Sequence, residues 1–184
     1  MSEQPGRYQR TTGGFVGSLV VAVAVILAFV AFRALTRDDL DVPTESVDYP
    51  EAVQAAQSAD WQVVYPSSLP QGWKATSVDV DPPRAWGLGF LTEDGRFVGV
   101  AQQRGSLDQM LQTYVDEHPR PGGAATLQTS VGGPWKSWSD SGGDHALSTD
   151  VGKDTLLIYG SADESDLERF AELLTTDPLT SSTQ

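Results

Sequence analysis

Cysteine is absent from the 184 residues, and histidine occurs only at His118 and His145. The first absence removes disulfides, thiolate metal sites, a thiol nucleophile and a lipid-modified cysteine beside a membrane span. With two histidines, little is left for zinc ligation or general-base work. Positive charge is scarce as well: 12 Lys and Arg stand against 25 Asp and Glu. The imbalance is also uneven, since only Glu3 precedes Asp38 among the acids, whereas Arg7, Arg10, Arg33 and Arg37 are four of the bases. Residues 38–184 therefore hold 24 acids and 8 bases, a net −16. Such a field repels phosphate backbones and anionic headgroups alike, which excludes nucleic-acid binding and flat docking on an anionic leaflet.

What the chain does have is one long apolar run. From Phe15 to the closing Phe32 it reads FVGSLVVAVAVILAFVAF without a charge. At about 1.5 Å of helical rise per residue, the uncharged stretch 13–32 spans roughly 30 Å, the thickness of a bilayer's hydrocarbon core. Its twelve Val, Leu, Ile and Phe residues favour insertion by roughly 4 to 7 kcal/mol. A cleaved signal peptide would be shorter and end in small residues, whereas this boundary carries Phe32 and Arg33. The expectation is a single-pass anchor in the plasma membrane. Lys and Arg number two on each side, so orientation rests on the short basic tail staying in the cytoplasm while the acidic domain is translocated. Gly13, Gly17 and Ser18 have small-residue spacing that permits a weak homodimer through the span.

The expected organisation is a cytoplasmic tail at 1–12, the membrane helix at 13–35, an acidic linker at 36–49, an extracytoplasmic domain at 50–176 and a disordered tail at 177–184. Within the domain, a short helix is expected from Pro50 to Ala59, then strand patterns at 62–65 and 74–80. Trp86, Leu88 and Phe90 alternate with glycines, and Glu93-Asp94-Gly95 turns the chain into a partner strand through Gln103. Ser106-Leu107-Asp108-Gln109 has capping-box form and opens a second helix that ends before Pro119. A loop through Gly123, strands at 125–131, 134–139, 145–151 and 155–160, and a last helix starting between Ser161 and Ser165 complete the pattern. Short hairpin links point to an α+β domain, an antiparallel sheet covered by about three helices on one face.

Motifs that could carry chemistry are sparse. His118 reads as a helix-end cation and His145 as the first residue of a strand; Ser141, Asp144 and His145 lie in a flexible hairpin loop, and a triad is recognised by a geometry that spacing does not supply. Asp79, Asp81, Asp140 and Asp144 read as solvated loop charge, since no twelve-residue calcium loop is present. Gly87-Leu88-Gly89 lacks the third glycine of a nucleotide fingerprint, and alternate glycines instead flatten a sheet face so that a helix or an aromatic ring can lie close. Trp61 and Trp86 are expected to pack in the core. Trp73 and Trp135 adjoin turns and, with Trp138, form the candidate binding surface. No catalytic residue, cofactor site or metal site is assigned, and an enzyme is not expected.

Tyr8-Gln9-Arg10-Thr11-Thr12-Gly13-Gly14, Phe32-Arg33-Ala34-Leu35, Tyr65-Pro66 with Leu69-Pro70 and Gly72-Trp73, Trp86-Gly87-Leu88-Gly89-Phe90, and Gly133-Pro134-Trp135 together resemble one family. It is the actinobacterial domain of unknown function 4245 family of membrane-anchored proteins, and the resemblance runs from Tyr8 to about Leu174. It implies a cell-envelope setting and carries over no catalytic residue. The expected role is a non-catalytic accessory protein that meets an envelope protein partner; the alternative is an extracytoplasmic module for a lipid or a glycan.

Overall fold

The structure, a computed structural model, describes residues 46–82 and 84–179. The expected anchor at 13–35 with Gly13, Gly17 and Ser18, most of the linker and the last residues of the tail lie outside them. Among the described residues, no helix is long and apolar enough to cross a membrane.

Helix α1 spans Tyr49–Ser58, with Pro50 in its first turn and the Asp48 carboxylate accepting from the Glu51 N–H at 3.3 Å. Both features belong to helix starts. Its other end closes when Asp60 N–H bonds Gln57 O and Trp61 N–H bonds Ala56 O. Asp60 takes φ 56°, the only positive φ of a non-glycine residue among the described ones. This is the left-handed helix stop, with aspartate where glycine is usual.

Strands β1 (Tyr65–Pro66), β2 (Lys74–Asp81), β3 (Ala85–Leu91) and β4 (Phe97–Gln103) follow, then α2 (Leu107–Tyr114). Next come β5 (Arg120–Ala125), β6 (Trp135–Ser139), β7 (His145–Val151), β8 (Asp154–Gly160), α3 (Glu164–Glu172) and β9 (Leu174–Thr175). β1 pairs with β9, and the other seven strands form one antiparallel sheet ordered β2-β3-β4-β8-β7-β6-β5. Two meanders thus meet at the central β4–β8 pair, where Val100 faces Ile158. To reach β5 at the far edge, the chain must cross the sheet, and α2 makes that crossing.

This route corrects the expectation of helices on one face. Trp86, Leu88, Phe90, Val98, Val100, Leu156 and Ile158 share one face with Val53 of α1 and Leu167, Phe170 and Ala171 of α3. The opposite face places Ala101, Ala146 and Leu157 against Met110 and Leu111 of α2. An amphipathic stripe states that a helix is covered, not which side of a two-sided sheet covers it. The larger core is rich in rings: Phe90 lies 5.1 Å from Phe170 and 5.7 Å from Tyr49, and Trp73 stacks on Phe170 at 5.3 Å. Fully buried Phe90 and Phe170 each contribute about 1.5 to 3 kcal/mol.

A second correction concerns β5, which runs through the stretch read as a loop, whereas residues 126–131 are irregular. Pro121 and Gly122 are tolerated because β5 is an edge strand with a register shift between Pro121 and Ala124. The irregular segment satisfies itself through side chains instead: Ser130 donates to Leu174 O at 2.9 Å and Thr129 to Val131 O at 2.8 Å. Likewise, residues 62–64 form no strand, although Val63 and Val64 are fully buried. The last helix starts at Glu164 with Asp163 as N-cap, so the Ser165 capping box is not used.

Of the two glycines expected to flatten a sheet face, Gly89 lies beside a ring, whereas Gly87 lies against Asp79 and no aromatic. A Cβ on Gly89 would lie 3.2 Å from Phe97 Cε2, and one on Gly99 would lie 2.5 Å from Tyr159 Cζ. Gly99 makes room for the Tyr159 ring, and Gly89 for the Ser77 hydroxyl as well as the Phe97 ring, on the α2 face.

Candidate functional site

The three tryptophans of the candidate surface fall in different places. Trp135 is 2% exposed, opens β6 and donates its indole N–H to Thr129 Oγ1 at 3.0 Å. Trp138, half-buried on the α2 face, donates to Ser148 Oγ at 2.8 Å. Trp73 stands on the opposite face, stacked on Phe170. The fold does not bring the three together into one surface.

The indole N–H groups separate the tryptophans more usefully. Trp86, Trp135 and Trp138 each donate to a protein acceptor, whereas Trp61 and Trp73 have none among the described residues. These two line separate clefts. The Trp73 cleft, about 390 Å³, is walled by Glu93, Asp94 and Asp166. Hydrogen bonding from Thr92, together with the neighbouring Arg96, holds the Asp94 carboxyl below its ordinary range. Arg96 in turn bridges Asp94 at 2.9 Å and also pairs with Asp163.

The other cleft, about 440 Å³, opens where the end of α1 meets the ends of β4 and β7 and the start of β8. Its floor is built from a buried polar knot. Gln102, 2% exposed, accepts from Val64 N–H at 2.8 Å and donates to Gln62 O and Asp154 Oδ2, each at 3.0 Å. The other Asp154 oxygen sits 3.4 Å from Arg104 Nε. Burying Gln102 is tolerable because each of these groups is paired. Trp61 forms the wall, edge-on to Trp86 at 6.0 Å, and is delivered there by the left-handed turn at Asp60. Lys153, in the tight turn after Gly152, has no ion-pair partner among the described residues. Sequence reading missed this cleft because its residues come from three distant turns; the only local signal was the polar flank of Gly152.

A third feature is the β2 edge. Among the described strands only β3 pairs with it, and the Val47 N–H covers its start by bonding Ala75 O at 3.0 Å. From Ser77 to Asp81 no further strand pairs with the outer edge among the described residues. Val80 is 44% exposed, and Asp79 and Asp81 both project on the α2 face in register with Gly87 and Ala85.

The remaining candidates lie in loops and at the ends of elements. Asp140 Oδ1 accepts from the N–H groups of Gly142, Gly143 and Asp144 at 2.6 to 2.8 Å. Desolvation raises its pKa, but these three bonds and nearby His145 outweigh it, holding the carboxyl below its ordinary range. His145 opens β7, in register with Ser139 and Gly160. His118 lies beyond the last turn of α2, and its N–H is taken by Asp116 Oδ1 at 2.8 Å. Among the described residues, no three His, Asp or Glu side chains are grouped to hold a metal ion.

The family model described as a protein of unknown function, DUF4245, matches residues 7–174. No curated protein matches the chain.

Proposed function

Because the chain belongs to the DUF4245 family, whose function is unknown, its own surface has to supply the reading, and we propose a non-catalytic interaction protein of the cell envelope. In this reading the apolar run 15–32 anchors the chain, the amino-terminal tail stays inside, and the acidic domain faces outward to meet a protein partner. The observation that carries it is the open β2 edge, where a strand of eight residues has a neighbour on one side only among the described strands. Unpaired edge N–H and C=O groups are a template for an added strand.

The charges on that edge select the occupant. Two copies pairing β2 to β2 would bring Asp79 and Asp81 of each chain together, and like charges across a pair of strands are destabilising. An extended segment with Lys or Arg at alternate positions meets them favourably, and an apolar residue on its other face covers Val80. The surrounding domain reinforces this, with 20 acids against 8 bases in residues 46–179.

A photo-crosslinker in place of Val80, in the full-length protein in intact cells, tests the reading. The expected result is a single protein adduct, lost when Asp79 and Asp81 are both changed to Lys. Protein adducts that form from Lys136 but not from Val80 would move the docking surface elsewhere, and adducts to lipid alone would sink the protein-partner reading.

A further inference from the structure

We infer that the cleft between Asp60 and Lys153 is a binding site for a neutral saccharide unit, independent of the strand-pairing edge. Three observations carry this. First, Trp61 is half-buried and keeps an indole N–H without a partner among the described residues, so it presents an apolar surface and a donor at the same rim. Secondly, the lining carries both hydrogen-bonding senses at close quarters: Arg104 and Lys153 donate, while the carboxylates of Asp60 and Asp154 accept. Thirdly, the floor is rigid. Gln102 spends its carbonyl and its amide on Val64, Gln62 and Asp154 and thereby anchors Asp154, whose other oxygen lies 3.4 Å from Arg104 Nε.

The ligand class follows from what this lining rejects. A purely apolar molecule would strip water from four charged groups without replacing their hydrogen bonds. A polyanion meets two carboxylates in the cleft and a strongly acidic domain around it. A polycation meets Arg104 and Lys153. A sugar ring has none of these conflicts: each hydroxyl both donates and accepts, and the carbon-bound hydrogens of one ring face suit an indole. At about 440 Å³ the cleft lies within the usual range for small-ligand sites.

Asp60 adds a specific sign. A non-glycine residue in the left-handed region is strained, and such strain persists where the surroundings or a function require that side chain. Glycine would stop α1 with less strain but would remove one of the two carboxylates from the rim.

The experiment is isothermal titration calorimetry of the full-length chain in nanodiscs, with three probes: maltotriose, chitotriose and the anionic trigalacturonate. Saturable response to at least one neutral trisaccharide is expected, with about tenfold or greater weakening in Trp61→Phe and Lys153→Ala. Asp60→Gly is the variant that keeps the helix stop, and its affinity is expected to fall by a similar factor while its unfolding temperature does not. Silence toward both neutral probes overturns the proposal. Response to trigalacturonate alone overturns the neutral class, and an unchanged response in Trp61→Phe and Lys153→Ala places the sugar elsewhere on the protein.

Discussion

The ring of Tyr159 occupies the space above Gly99, so that a Cβ at Gly99 would fall 2.5 Å from Tyr159 Cζ and 2.7 Å from Cε1. The two residues face each other across the β4–β8 pair that joins the halves of the sheet. Tyr114 of α2 lies 4.8 Å from the same ring and Phe97 lies 5.9 Å from it. The ring is held on three sides and cannot retreat cheaply.

Gly99→Ala is therefore expected to destabilise the domain by about 1 to 3 kcal/mol, the range for overpacking. Chemical denaturation of Gly99→Ala, Tyr159→Ala and the double variant checks this. The double variant should be more stable than the sum of the single losses predicts, because one change makes room for the other. Strict additivity would show that the ring and the glycine are not coupled.

Tyr159 also predicts the alkaline limit. Burial, then the neighbouring Tyr114 and Asp79, push its pKa up to about 12, against an ordinary value of about 10. The folded state holds the proton more tightly than the unfolded chain. Its stabilisation is complete below about pH 10 and is lost as pH rises toward 12. Thermal unfolding across that window should show stability falling with pH, and Tyr159→Phe should make the slope shallower. Tyr49 and Tyr65, also raised by burial, leave a residual slope.

Asp140→Ala leaves three backbone N–H groups without their acceptor. The loop is exposed, so water replaces part of the loss and the expected cost is about 1 kcal/mol. Hydrogen exchange at Gly142, Gly143 and Asp144 should accelerate in the variant, while amides of β4 and β8 keep their protection. Unchanged exchange in the loop would show that the carboxylate does not hold it.

Asp60→Gly is expected to raise stability by up to about 0.5 kcal/mol, because relief of the left-handed strain outweighs the added freedom of the unfolded chain. Calorimetry of the full-length protein checks the sign. A fall in unfolding temperature would show that the Asp60 side chain contributes to the fold itself.

Much of the sheet was legible because period-two alternation is strong where a strand is central. Trp86, Leu88 and Phe90 announce β3, and Ser106 announces α2 through a cap whose hydroxyl accepts from the Gln109 N–H. The edge strand β5 was not legible, because Arg120-Pro121-Gly122-Gly123 has the composition of a turn and only an edge makes it usable as a strand. The choice of face for α2 was hidden for a different reason. It follows from β4 pairing with β8, a contact between segments that no local pattern links.

The cleft was hidden for the same cause. Nothing near Asp60 and Trp61 refers to Arg104 or Lys153, and only the folded sheet brings the four together. Trp135 illustrates the converse. A turn beside it suggested exposure, yet the irregular segment before it folds over the core and supplies Thr129 as the indole's acceptor.

The pairing of β4 with β8, and of β1 with β9, sets the order in which the protein can be made. A chain emerging amino end first can close the β2-β3-β4 meander early, but the inner edge of β4 stays bare until residues 154–160 arrive, and Tyr65 waits for Thr175. An interrupted or truncated product thus presents a central strand edge flanked by Val98 and Val100 to whatever surrounds it. A product that ends before residue 154 is therefore expected to aggregate through that edge, whereas the full sheet covers it.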